Sequence, residues 1–176
     1  MSRNEKVHTF LMDCMADALI ERMKEKPFEK ITADEIAETA GVGRATYFRS
    51  FASKQEVLTY KFIRHWEIHS EKRNLKERKK FDISNAVDFF EINFLLKDIF
   101  DVVYAAGQQS SLHEAFSRIM VTQAQNNNRN ERYRERFYSY GLFGLLDEWI
   151  KSGYKDSPQQ MAALLTQIVN SPIQNI

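Results

Sequence analysis

The stretch TADEIAETAGVGRATYFRSFASK, residues 32–54, decides the fold of this chain. Thr32 followed by Glu35 forms a capping box, in which the hydroxyl accepts from the third helical amide and the carboxylate accepts from the cap's own N–H. A short helix is therefore predicted to begin at Thr32. It ends at Gly41, because glycine readily adopts the positive φ that stops a helix within one residue.

A second helix is predicted directly after the turn. Gly43 is a permissive N-cap, and residues Arg44 to Phe51 continue a helical pattern with no breaker inside it. Two short helices joined by a glycine turn of three to four residues form a helix-turn-helix.

The second helix carries charges of one sign. From the turn to Lys54 the ionisable residues are Arg44, Arg49 and Lys54, with no Asp or Glu among them. The first turn of a recognition helix is the part that reaches base edges in the major groove. There Arg44 can pair bidentately with guanine, and the methyl group of Ala45 or Thr46 can pack on a thymine methyl. The pattern therefore predicts a DNA-reading helix.

Ser53 and Glu56 form a second capping-box pattern, which predicts a third helix. Lys54 then lies in the first turn of that helix. We expect its ammonium and the helix dipole to face a DNA phosphate together.

The segment ITADEIAETAGVGRATYFRSFASKQEVL, residues 31–58, resembles the DNA-binding domain of the TetR family of bacterial transcriptional regulators. The family pattern is a long first helix, this helix-turn-helix, and an aromatic-rich segment ending in Phe, followed by Ser-Lys-x-Glu. The resemblance covers residues 5–60, with the cap, the turn, the aromatic residues and Lys54 all in register. It implies that Arg44, Ala45 and Thr46 face bases, that Thr32, Arg49 and Lys54 hold phosphates, and that Gly43, Phe48 and Ser50 complete the DNA-binding surface.

Three residues depart from the family pattern. Phe48 stands where the family usually has a Tyr whose hydroxyl meets a phosphate, and Ser50 stands where His or Tyr is common. Gly43 replaces a frequent Ser or Thr cap. These changes remove polar phosphate contacts, so a modest affinity for DNA is expected.

The alternative is a helix pair with a purely structural role. Glycine turns between short helices also occur in all-α cores that bind no nucleic acid. Residues 1–60 contain 9 Lys and Arg against 10 Asp and Glu, so the basic charge is local to the second helix. Local charge and family register favour DNA binding.

The composition indicates an all-α protein. The chain has 176 residues, of which 43% are hydrophobic, and this suffices for one domain or two small ones. It has 3 Pro and 6 Gly, and its apolar residues recur with helical spacing. The single Cys14 lies in an apolar helical stripe and is expected in the core. No leader pattern and no run of eighteen apolar residues is present, so a cytoplasmic protein without a membrane segment is expected.

The chain is predicted to divide into two functional parts. Residues 1–60 form the DNA-binding domain, whose first helix spans 5–26 with an apolar stripe that includes Val7 and Phe10. A helix over residues 53–75 links it to a regulatory and dimerisation domain at 76–176. The basic run EKRNLKERKK at 71–80 has two interpretations, DNA contact or a solvated face at a hinge, and the second is the more usual.

His65 and His69 have the i, i+4 spacing of a metal-ligand pair. A site needs at least three protein ligands, and no Cys or third His lies near them in sequence. No metal and no cofactor is therefore expected.

The part after residue 81 is rich in aromatic residues at helical spacing, interrupted by the polar segment 123–131. Such residues can line a small-molecule pocket or simply form a core. The resemblance implies an inducer site, because this domain commonly binds one in the family. The candidate pocket residues are Phe90, Phe94, Phe100, Tyr104, His113 and Phe116.

The last two helices are predicted to form an oligomer interface. The helix from about residue 133 is apolar on more than one face, and its glycines permit close backbone approach. Residues 157–176 contain no charged side chain. The resemblance implies a four-helix bundle between two copies, with Phe137, Gly141, Gly144, Trp149, Leu164 and Ile168 at the interface.

These patterns predict a homodimeric transcriptional regulator that binds a palindromic site on double-stranded DNA. The main hypothesis is a repressor released by a small apolar or aromatic inducer. The alternative is a co-regulator or activator controlled by a partner protein. An enzyme is not expected, because the chain has no Gly-rich phosphate loop, no nucleophile elbow and no metal-ligand cluster.

Overall fold

A computed structural model describes residues 2–75, 85–121 and 129–170. Within these ranges the chain forms nine α-helices and a one-turn 3₁₀ helix, and the all-α prediction is confirmed. The α-helices are α1 (Arg3–Glu25), α2 (Ala33–Thr39), α3 (Arg44–Ser50), α4 (Lys54–Lys72), α5 (Ala86–Phe94), α6 (Lys97–Ala105), α7 (Gln109–Val121), α8 (Arg129–Lys151) and α9 (Pro158–Asn170), and the 3₁₀ helix spans Phe28–Lys30. Residues 76–80 of the basic run, 123–128 of the polar segment and 171–176 of the uncharged tail lie outside the described ranges.

Helix α1 begins at a capping box that the sequence analysis did not identify. The Ser2 side chain accepts from the backbone N–H of Glu5, and the Glu5 carboxylate accepts from the N–H of Ser2. The predicted apolar stripe is wrong at its start, because Val7 is exposed and Phe10 is 64% exposed. The buried residues of α1 begin only in its second half, at Met15.

The first compact unit contains residues up to Arg64 together with Asp98–Ala115. Within it, polar contacts tie α4 to α1. The Tyr60 hydroxyl donates to Asp13 at 2.8 Å, and Lys61 forms an ion pair with Asp17. The hydroxyl of Thr59 donates to the backbone carbonyl of Ser111 at 3.2 Å, inside the core. These contacts fix the helices that support the helix-turn-helix.

The second compact unit contains His65–Lys97 and the residues from Phe116 onward. Its core is aromatic, with the ring of Trp149 5.5 Å from Phe90 and 5.7 Å from Phe94, centre to centre. Helix α9 packs along α5. Arg73 donates to Asp88 at 2.8 Å and to Glu91 at 2.7 Å, which joins the turn after α4 to α5.

These units group α6 and the start of α7 with the N-terminal helices, whereas the predicted functional domains divide the chain near residues 60 and 76. The sequence-based division stays a prediction about function. None of the helices in the described ranges has the length and apolar character needed to cross a membrane.

Candidate nucleic-acid interface

The turn between α2 and α3 has the predicted geometry. Thr32 and Glu35 form the complete capping box at the start of α2. At its end Gly41 has φ +66°, its N–H donates to the Glu38 carbonyl, and the Val42 N–H donates to the Ala37 carbonyl. This Schellman pattern satisfies the last carbonyls of α2 and turns the chain sharply.

Buried aromatic residues anchor helix α3. Tyr47 and Phe51 are both 3% exposed, and their ring centres lie 6.1 Å apart. Phe51 in turn contacts the ring of Tyr60 on α4 at 5.6 Å. Burial raises the pKa of the Tyr47 hydroxyl, with a smaller contribution from Glu56, so the group stays neutral. This anchoring fixes which side of α3 faces solvent.

The solvent-facing side of α3 carries the residues predicted to bind DNA. Arg44, Ala45, Phe48 and Arg49 are exposed, and Thr46 and Ser50 are partly so. Gly43 is the N-cap, as predicted, and its φ of −71° lies in the range that any residue adopts. The Ser50 hydroxyl lies 3.3 Å from Nε2 of His8 on α1. The predicted recognition helix is therefore accessible along its whole outer face.

Arg44 has two neighbours within the helix-turn-helix. Its Nε forms an ion pair with a carboxylate oxygen of Asp34 at 3.1 Å. Its guanidinium carbon lies 5.4 Å from the ring centre of Phe48, one turn further along α3. Both contacts are on the surface.

Thr32 lies at the edge of this surface with its polar groups engaged. Its hydroxyl accepts from the Glu35 N–H at 3.2 Å and donates to the Glu35 carboxylate at 3.0 Å. Lys26 pairs with the other carboxylate oxygen of Glu35. The Lys26 ammonium and the Thr32 backbone N–H lower the pKa of Glu35 from 4.5 to about 2.

Lys54 begins α4, as predicted, and its ammonium points into the protein. The nitrogen donates to the backbone carbonyls of Phe28 at 2.6 Å and Ile31 at 2.7 Å, with that of Glu29 at 3.4 Å. Burial lowers its pKa. An ammonium has three N–H donors, so a DNA phosphate has to compete with backbone carbonyls for this group.

The second capping box is only half formed. The Ser53 hydroxyl accepts from the Glu56 N–H at 3.1 Å, as expected. The Glu56 carboxylate accepts from the N–H of Ala52 at 2.7 Å, one residue before the cap, instead of from Ser53 itself.

The candidate pocket residues are divided between the two compact units. Phe90, Phe94 and Phe116 belong to the second unit, whereas Phe100, Tyr104 and His113 belong to the first. Phe90 and Phe100 are fully buried, and Phe94 is exposed.

Five of the six candidate interface residues are exposed. Phe137 is 71% exposed, and Gly141 and Gly144 lie on the same side of α8. Leu164 and Ile168 are exposed one turn apart on α9. Trp149 differs, because it is 2% exposed and its indole N–H donates to the Asp156 carbonyl at 2.9 Å. Its ring packs in the core of its own chain.

The rings of His65 and His69 are in contact in a tilted arrangement, with centres 4.3 Å apart, and Nε2 of His65 lies 2.8 Å from the Ile92 carbonyl. Over the described ranges, no three His, Cys, Asp or Glu side chains come together as a metal site.

Sequence reasoning missed two partners in the helix-turn-helix. Asp34 contacts Arg44 across the turn, and Lys26 contacts Glu35 from the end of α1. Both pairs are separated by nine or ten residues, so neither has the i, i+3 or i, i+4 spacing that a sequence reveals. The turn after α2 brings Asp34 and Arg44 together, and the segment with the 3₁₀ helix between α1 and α2 brings Lys26 and Glu35 together.

An all-α chain that presents a basic recognition helix after a glycine turn defines a helix-turn-helix DNA-binding protein. Two family models match it: "Bacterial regulatory proteins, tetR family" over residues 16–60, and "Transcriptional regulator C-terminal region" of the TetR type over residues 97–171. The chain belongs to the TetR family of bacterial transcriptional regulators. Proteins of this family are generally non-enzymatic and bind DNA. No curated protein and no solved structure gave a significant match.

Proposed function

We propose that the chain is a homodimeric repressor that binds a palindromic DNA operator and leaves it when a small apolar or aromatic inducer binds. The observation that carries DNA recognition is the outer face of α3, where Arg44, Ala45, Phe48 and Arg49 are exposed and no carboxylate belongs to the helix. A repressor of this kind acts on the chromosome and therefore works in the cytoplasm.

In the proposed complex, the first turn of α3 enters the major groove. Arg44, Ala45 and Thr46 face base edges, and Arg49 neutralises a phosphate. Gly43, Phe48 and Ser50 line the same surface, with Thr32 at its edge. The functional division places DNA binding in residues 1–60 and regulation in residues 76–176.

Lys54 has two roles open to it in this proposal. The TetR resemblance implies that the Lys54 ammonium contacts a DNA phosphate. In the structure the ammonium instead donates to the backbone carbonyls of Phe28 and Ile31. Losing a phosphate contact reduces the salt dependence of binding, and losing an internal contact reduces stability. The two roles therefore have different signatures.

Selection of bound fragments from random DNA tests the proposal directly. A homodimer with two equivalent recognition helices should enrich an inverted repeat with half-sites about one helical turn apart. Arg44→Ala should relax the preference at one base pair per half-site. If no sequence is enriched over the starting pool, the proposed DNA-binding function is wrong. If a direct repeat or a single half-site is enriched, the proposed binding of a palindrome by a homodimer is wrong.

Dimerisation is supported by the exposed side of α8. Tyr133, Phe137 and Tyr140 are each more than half exposed there, beside Gly141 and Gly144. A Cβ added at either glycine meets nothing within 4 Å in the single chain. Large exposed aromatic residues beside open glycines suit the close approach of a second helix.

Regulation has two candidate sources. Aromatic packing around Phe90, Phe94 and Phe116 supports a small apolar inducer. The exposure of Val87, Phe94 and Leu95 at the surface of α5 and the residue after it favours a partner protein instead. A thermal-shift screen against lipophilic cations, acyl thioesters and aromatic acids separates the two, because only a ligand sensor gains stability from a small molecule.

A further inference from the structure

The ion pair between Asp34 and Arg44 lies on the surface proposed to face DNA. Asp34 is the second residue of α2, and Arg44 is the first residue of α3. The side chains are 57% and 69% exposed, and the Nε of Arg44 is 3.1 Å from the carboxylate. Exposed pairs of this kind contribute little to folding stability. The Asp34–Arg44 pair lies beside the exposed face of α3, so its effect is to be sought in DNA binding.

The contact with Asp34 uses one end of the guanidinium and leaves the other end available. Arginine has five N–H donors in a fixed planar fork, and Nε carries one of them. The two terminal nitrogens carry the other four, and they have no acceptor among the residues that the structure describes. Guanine offers O6 and N7 side by side in the major groove, and two parallel donors match them.

We infer that Asp34 is a positioning residue that holds Arg44, against the ring of Phe48, so that its two terminal nitrogens meet O6 and N7 of one guanine per half-site. The inference rests on the proposed function and deepens it. The carboxylate is paired with Nε, the guanidinium carbon lies over the Phe48 ring at 5.4 Å from its centre, and the two terminal nitrogens are left for the base. A side chain held before binding loses less conformational freedom when it binds.

Asp34 is itself firmly placed. The capping box of Thr32 and Glu35 fixes the first turn of α2, and Lys26 holds Glu35 from α1. The Schellman turn at Gly41 then sets the angle between the two helices. The carboxylate and the guanidinium are thus presented by backbone that hydrogen bonds define on both sides.

General repulsion between the Asp34 carboxylate and DNA predicts a different result from the positioning of Arg44 by Asp34. A carboxylate beside DNA repels phosphates, so its removal strengthens binding to every sequence alike. Positioning affects only the base that Arg44 reads. The ratio of affinities for two DNAs that differ at one guanine therefore separates the two effects.

The test uses the full chain and the operator selected from random DNA, with each guanine in turn replaced by 7-deazaguanine. This analogue lacks the N7 acceptor and keeps the Watson–Crick edge. Wild-type protein should lose about fivefold or more in affinity at one guanine per half-site, the lower end for a bidentate contact. Arg44→Ala should show no loss at that guanine.

In Asp34→Asn, the ratio of affinities for the guanine and 7-deazaguanine DNAs should be smaller than in the wild type by about 1.5- to 5-fold, which corresponds to the energy of a surface ion pair. Glu38→Gln is the matched control, because Glu38 is an exposed acid of the same helix and forms no ion pair with Arg44. Glu38→Gln should strengthen binding to all DNA sequences and should still lose as much affinity as the wild type when the guanine is replaced by 7-deazaguanine. Phe48→Leu, which keeps apolar volume without a ring, should reduce the loss as Asp34→Asn does.

Three results overturn the inference while leaving the proposed function intact. The first is a ratio for Asp34→Asn equal to that for Glu38→Gln. The second is a larger ratio for Asp34→Asn than for the wild type, which shows that Asp34 withholds Arg44 from DNA. The third is a wild type in which binding depends on N7 of no guanine. Recovery of no operator at all instead removes the proposed function. Circular dichroism of each variant confirms that the helices are retained.

Discussion

The ammonium nitrogen of Lys54 lies 2.6 Å from the carbonyl oxygen of Phe28 and 4.6 Å from the centre of the same residue's ring. The first residue of α4 thereby closes the 3₁₀ turn that leads into α2. The carbonyls at the end of that turn need donors, and the ammonium supplies them. Lys54, which follows the helix-turn-helix in sequence, thus stabilises the segment that precedes it.

Lys54→Met should lower the free energy of unfolding by about 1.5 to 3 kcal/mol, because hydrogen bonds from a charged donor to partly buried carbonyls are lost. Lys30→Met, at an exposed lysine of the 3₁₀ turn, is the control and should change stability by less than about 0.5 kcal/mol. Urea unfolding measures both. DNA binding at several salt concentrations then separates the two roles of Lys54. If the slope of log K against log salt concentration is unchanged in Lys54→Met, the internal role is supported. If the slope is smaller by about one per half-site, Lys54 contacts a phosphate.

The two glycines of the turn should respond in opposite ways to the same substitution. Gly41→Ser places a side chain at φ +66° and should cost about 1 to 2 kcal/mol. Gly43→Ser keeps an ordinary φ and adds a hydroxyl that can cap α3, so it should gain a few tenths of a kcal/mol, roughly the Ser-to-Gly difference at N-caps. Thermal unfolding of the pair checks this, and equal losses at both positions would contradict the assigned geometry.

Glu35 should make the helix-turn-helix sensitive to acid. Its pKa in the folded protein, about 2, is below its usual value of 4.5, so the ionised carboxylate favours the folded state. That stabilisation is complete above pH 4.5 and is lost as the pH falls from about 4.5 towards 2. Glu35→Gln should therefore show a flatter decline of melting temperature across this window than the wild type. Glu38→Gln corrects for the general effect of one fewer carboxylate, and identical slopes for all three proteins would remove the prediction.

The sequence predicted the helix-turn-helix closely because its signals are local. Thr32, Glu35, Gly41 and Gly43 act through backbone within a few residues, and the observed caps and turn follow them. The same holds at the start of α9, where Ser157 accepts from the N–H of Gln160 at 3.2 Å.

Contacts between distant segments were not predictable in this way. The acceptors of Lys54 lie 23 to 26 residues away, and they are backbone carbonyls, which every residue carries. The burial of Trp149 was also missed, because a helix that is apolar on two sides does not show which side meets its own chain. The exposed Val7 and Phe10 show the converse, since helical spacing says nothing about where the supporting layer ends.

Phe48→Tyr should strengthen DNA binding without changing stability. Phe48 is 56% exposed, so a hydroxyl at the ring's tip remains solvated in the free protein. On DNA it can donate to a phosphate, a gain of about 0.5 to 1.5 kcal/mol for one hydrogen bond. The salt slope should stay the same, because a neutral hydroxyl releases no counterion. Binding isotherms at two salt concentrations test this, and a gain confined to one DNA sequence would place the ring against a base instead of a phosphate.

A negative charge on the exposed side of α8 should separate the proposed dimer. Gly144→Asp introduces a carboxylate where a second helix is expected to approach, and burying an unpaired charge is costly. Arg132→Asp is the control, because Arg132 is exposed on α8 but lies away from the face of Phe137 and Gly144. Sedimentation at micromolar concentration should show a dimer for the wild type and for Arg132→Asp, and a monomer for Gly144→Asp with unchanged helical content. A wild type that sediments as a monomer disproves the interface, and dissociation of Arg132→Asp as well would show that net charge, not this face, controls association.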